Sequence, residues 1–149
     1  MSNTNQICSI SEIINFLENR NFEKFRFANN YAYIYNSNID EIVLEAPNHK
    51  ISDEVIELAV KALNHLDKCV EYAYDWLNRM KDACDEDVEL WGMCFEHFGY
   101  GHETKTSYDL GFTISFQLKN STLNRIFTVK YCACSFLYGG AFAIEEWVQ

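Results

Sequence analysis

The chain has 149 residues, enough for one domain with a real core, and its 48% hydrophobic and 15% aromatic content excludes an intrinsically disordered protein. A formal net charge of −10 argues against phosphate backbones and anionic membranes, and so against nucleic acid or membrane as a partner. The start MSNTNQICSISEII lacks a basic and an apolar signal region, and no window approaches ~18 uninterrupted apolar residues, so a cytoplasmic protein is expected.

Ser9-x-x-Glu12 forms a capping box ahead of Ile10, Ile13, Ile14 and Leu17, a spacing that predicts a short N-terminal helix over 10–19. Phe22, Phe25 and Phe27 lead to Asn29-Asn30, a turn signal, after which Tyr31, Tyr33 and Tyr35 alternate with Ala32 and Ile34 as a strand requires. EIVLEA (41–46) reads as a further short strand stopped by Pro47. Ser52 can cap a helix with Asp53 and Glu54 in its first turn, both favourable at the positive end of the helix dipole. From Ile56 through Ala59, Val60, Leu63, Leu66, Val70, Ala73 and Leu77 to Met80 one apolar stripe persists, predicting a single long helix over 53–82. Glu57 with Lys61 and Asp75 with Arg79 solvate its opposite face.

Beyond residue 87 the pattern changes to strands. Val88 and Leu90 are followed by Trp91, Met93 and Phe95, a change of phase that points to a bulge near Gly92. Leu110, Phe112, Ile114, Phe116 and Leu118 alternate with polar residues. KNSTLN (119–124) is a hairpin loop, Ile126 to Phe136 a strand, Tyr138-Gly139-Gly140 a turn, and AFAIEEWV the closing strand. Short connections between successive strands imply an antiparallel meander. The expectation is one α+β domain over 1–149: an antiparallel sheet, with a C-terminal meander of about four strands plus N-terminal strands, packed on one long central helix beside a short N-terminal helix.

The six cysteines (8, 69, 84, 94, 132, 134) show no Cys-x-x-Cys spacing and are expected to be reduced, packed thiols. His97 and His102, with Glu96 and Glu103 around Gly99 and Gly101, form a possible metal loop, although their spacing matches no helical zinc pattern. No nucleophile elbow or phosphate loop is present, so neither catalysis nor a cofactor is expected.

The charge distribution carries the functional reading. Residues 82–103 hold seven carboxylates, Asp82, Asp85, Glu86, Asp87, Glu89, Glu96 and Glu103, without one Lys or Arg, and so supply −7 of the −10. Trp91, Phe98 and Tyr100 are interleaved with them. Such a surface suits a basic protein partner: charge steers the encounter and aromatics slow dissociation. The acidic run DACDEDVELW and the helix-then-meander layout ending in GGAFAIEEWV resemble the small acidic immunity proteins that bacteria encode beside secreted toxins, including contact-dependent inhibition systems. The resemblance implies a protein that binds and neutralises a nuclease-like toxin. The alternatives are a small-molecule or peptide-binding module using a curved aromatic sheet, and a metal-dependent enzyme using His97 and His102.

Overall fold

The computed structural model describes residues 7–80, 88–98, 110–118, 125–133 and 141–148. Helix α1 (Ile10–Glu18) begins at the expected capping box: Glu12 N–H donates to Ser9 Oγ at 3.1 Å, and Ser9 N–H donates to Glu12 Oε1 at 3.0 Å. Strands β1 (Arg26–Ala28) and β2 (Tyr31–Asn36) form a hairpin through Asn29 and Asn30, whose φ values of 52° and 68° are the left-handed pair that a tight two-residue turn demands. Strand β3 (Asp40–Glu45) pairs antiparallel with β2 and runs into a 3-10 turn at Pro47–His49.

The helical stretch expected over 53–82 is helical to Met80 but consists of two segments, α2 (Asp53–Asn64) and α3 (Leu66–Met80). The break has a local cause. His65 Nδ1 lies 2.9 Å from the Lys61 carbonyl, the acceptor that a continuous helix gives to His65's own N–H, and that N–H bonds the Ala62 carbonyl instead. As a result α2 packs over β3 and the next strand, and α3 over the last two.

Strand β4 (Val88–His97) opens the meander completed by β5 (Leu110–Leu118), β6 (Arg125–Cys132) and β7 (Ala141–Val148). The register slips between Leu90 and Gly92, so Trp91 is the extra residue of a bulge where the sequence changes phase. Among the described residues seven strands lie side by side in chain order, and every pairing between them is antiparallel except β3 with β4. That parallel pair differs from an all-antiparallel sheet because α2 and α3 intervene and return the chain in the same direction.

One sheet face is covered by the helices. Ile34, Ile42, Leu44, Phe95, Phe112, Ile114, Phe116, Val129 and Tyr131 pack there against Ile56, Ala59, Ala62, Ala73 and Leu77. Phe95, Phe112 and Tyr131 form a continuous row of rings with centroids 5.3 and 5.2 Å apart. The α+β domain is therefore a layer of sheet under helices; on its second face β2 and β3 are half-buried, while Thr113, Ser115 and Thr128 of β5 and β6 are buried. The expected loop at 119–124 and the turn at 138–140 lie outside the described residues.

Candidate functional site

The residues on the face turned away from the helices follow from strand alternation. Ala32 and Ile34 point into the core, so Tyr31, Tyr33 and Tyr35 point away, and Ile42 and Leu44 likewise place Glu41 and Val43 outward. On β4, Val88 and Leu90 pack on the core before the bulge and Met93 and Phe95 after it, which leaves Glu89, Cys94 and Glu96 on the face turned away from the helices. Two separate groups of candidate residues result, one at each end of β4.

At the carboxyl end the acidic side chains are occupied within the chain. Glu96 accepts from the Tyr31 hydroxyl at 2.9 Å through Oε1, and from the Cys94 thiol at 3.1 Å through Oε2. Burial, then the Glu96 carboxylate, holds the Cys94 thiol well above its ordinary value, so it stays protonated and is no nucleophile. Burial followed by the same hydrogen bond raises the Tyr31 phenol. His97 Nδ1 is 2.9 Å from Glu45 Oε1, and the His97 backbone N–H donates to Glu45 Oε2 at 3.2 Å. The pair is largely buried, at 9% and 11% side-chain exposure, and His97 Nε2 lies 3.8 Å from Glu54 of α2. It ties the ends of the two parallel strands to the first turn of the helix above them.

Phe98 folds back over the sheet face turned away from the helices. Its ring lies against Gly111, where any Cβ would collide with it and with the Tyr131 carbonyl, and Lys130 Nζ sits 5.7 Å from its centroid. It packs rather than projects. Among the described residues no group of three or more His, Cys, Asp or Glu side chains is placed to hold a metal ion.

The other end of β4 is different. Glu89 is exposed, and Trp91 in the bulge is 36% exposed, one of only two large hydrophobic residues so exposed among those described. The parallel register sets Glu41 beside Gly92, so β3 brings Asp40 and Glu41 alongside Trp91. A Cβ at Gly92 would come within 3.2 Å of the Glu41 carbonyl oxygen, a tight contact that a small shift of β3 would have to relieve. Tyr35, opposite Glu41, adds a half-buried ring. Burial pushes the Glu41 carboxyl above its ordinary value, Arg26 opposes that, and Asp40 reinforces it. Arg26 itself is engaged, bonding the Tyr35 hydroxyl at 3.1 Å with its guanidinium 4.8 Å over the Tyr33 ring.

The expected acidic surface is thus divided. Glu89 and Glu96 share the face turned away from the helices but stand at opposite ends of β4, about 20 Å apart at ~3.3 Å per residue. Asp82, Asp85, Glu86, Asp87, Tyr100, His102 and Glu103 lie outside the described residues. Asp40, Glu41 and Tyr35 are not among the site candidates that the sequence singles out. The alternation of Tyr31, Tyr33 and Tyr35 was a visible signal of an outward aromatic row, but only the parallel β3–β4 pairing places it beside Trp91.

No family model matches the chain, and no curated protein or solved structure gives a match to it.

Proposed function

We propose that this chain is an acidic interaction protein that docks a basic protein partner at the amino end of β4, acting in the cytoplasm as an immunity-type protein that neutralises a toxin. The observation that carries the reading is Trp91: an exposed indole lifted out of the strand by a bulge and bordered by Glu89, Asp40 and Glu41. The energetics fit the roles. Exposed carboxylates raise the encounter rate with a cationic surface, and a desolvated aromatic anchor sets residence time. The Asp82–Asp87 run directly precedes β4 in sequence. Glu96 is assigned a different role, because both its oxygens serve the chain's own hydroxyl and thiol.

The test uses the product of the neighbouring reading frame as partner. Trp91→Ala is expected to raise the dissociation rate ~30-fold or more, corresponding to about 2 kcal/mol for a central aromatic anchor. Glu89→Lys with Glu41→Lys is expected to slow association, while Glu96→Gln leaves the association rate within about twofold. If Trp91→Ala binds like the parent chain, the reading fails.

A further inference from the structure

Guanidinium groups cover aromatic rings within this chain. Arg26 lies with its guanidinium 4.8 Å over the Tyr33 ring, and Arg79 with its own 5.2 Å over the Trp76 ring. Trp91 differs from both. Among the described residues no ring, cation or hydrogen-bond acceptor meets its indole, although the bulge lifts it into exposure. Beside it, Gly92 leaves a notch. A Cβ there would meet, apart from the adjoining residues, one described atom within 4 Å, the Glu41 carbonyl oxygen. Gly92 is paired with Glu41 across the parallel register, so the notch and the Glu41 side chain share one face of the sheet.

Glu41 completes the arrangement. It is half-buried, and among the described residues its carboxylate has neither a hydrogen bond nor an ion pair. Burial holds its carboxyl above the ordinary value, the mark of a charge that water solvates incompletely. Arg26 offsets this only in part, because its guanidinium bonds the Tyr35 hydroxyl and covers Tyr33.

We propose, resting on the docking reading above, that the partner presents an arginine here, its guanidinium stacked on Trp91, seated at the Gly92 notch and forked onto the Glu41 carboxylate. Shape and hydration decide between the two cations. A guanidinium is weakly hydrated, stacks flat on an indole and offers paired N–H donors that match both oxygens of a carboxylate. An ammonium is a strongly hydrated point charge, which gains less from a ring face and loses more water at a half-buried carboxylate. Asp40 and Glu89 are exposed and attract either cation, whereas Trp91 and Glu41 together select arginine.

Two short blocked peptides of equal charge serve as probes against the full chain, one with two arginines and one with two lysines between glycines. Binding is followed by the nuclear magnetic resonance signal of the Trp91 indole N–H, assigned by its loss in Trp91→Phe. The arginine peptide is expected to bind at least ~4-fold tighter than the lysine peptide. Glu41→Gln, which keeps the side-chain shape and is expected to leave the circular dichroism unchanged, should remove that difference, and Glu96→Gln should retain it. Equal affinities in the parent chain overturn the arginine assignment. So does a preference that survives Glu41→Gln, or an indole signal that neither peptide moves. None of these outcomes touches the docking reading itself, which stands or falls on Trp91→Ala with the neighbouring product.

Discussion

Asn36 shows how one side chain can determine a local structure. It is buried in the β2–β3 connection, where Oδ1 accepts from the Asn38 and Ile39 N–H groups at 2.8 and 3.0 Å and Nδ2 donates to the Cys8 carbonyl at 2.8 Å. Asn36→Ala orphans all three partners and is expected to cost about 2–4 kcal/mol in denaturant unfolding, whereas a loss below ~1 kcal/mol would mean that water replaces the amide. Tyr131 is the opposite case: its hydroxyl is buried without a hydrogen-bond partner among the described residues. Tyr131→Phe should therefore leave stability unchanged or raise it by up to ~1 kcal/mol, and a clear loss would reveal a partner for the hydroxyl. Glu41 links stability to docking. Its folded pKa is raised, so the folded state gains stability relative to the unfolded chain as pH falls into the carboxylate range, and that advantage is lost as pH rises through the raised value. Glu41→Gln is accordingly expected to melt higher than the parent at pH 7, to converge with it below about pH 4, and to associate more slowly with a basic partner.

The elements differ in how far the sequence specifies them. The capping box, the Asn29-Asn30 turn, the bulge at Trp91 and the extent of β7 are local signals, each produced by residues within a few positions of one another. The break at His65 was hidden, because the apolar stripe from Ile56 to Met80 continues through it and only the competition for the Lys61 carbonyl interrupts the helix. His65→Leu removes that competitor. It is expected to raise helical ellipticity while lowering the melting temperature, since a straight helix cannot follow both β3–β4 and β6–β7. A variant with unchanged ellipticity would place the cause of the break in tertiary packing instead.

At the scale of the molecule, the parallel pairing of β3 with β4 decides where charge accumulates, and it is a long-range fact that no local pattern contains. From the sequence, residues 82–103 form one acidic block; in the fold, β4 sets Glu89 and Glu96 at its opposite ends and β3 supplies Asp40 and Glu41 to one of them. Glu96 and Phe98 carry the right residue types for an interface, but hydrogen bonding and packing within the chain engage them both. Trp91 alone among the expected aromatics is both described and exposed. The sequence could identify the block's charge, while its geometry depended on which strand returned beside β4.

The dependence of the partner's association rate on ionic strength tests the account most directly. Between about 20 and 300 mM salt the rate for the parent chain is expected to fall at least tenfold, and the slope to flatten when Asp40, Glu41 and Glu89 are replaced by their amides, with Glu96→Gln retaining the parent slope. An association rate indifferent to salt, or a slope that flattens with Glu96→Gln and not with the other three, would contradict it.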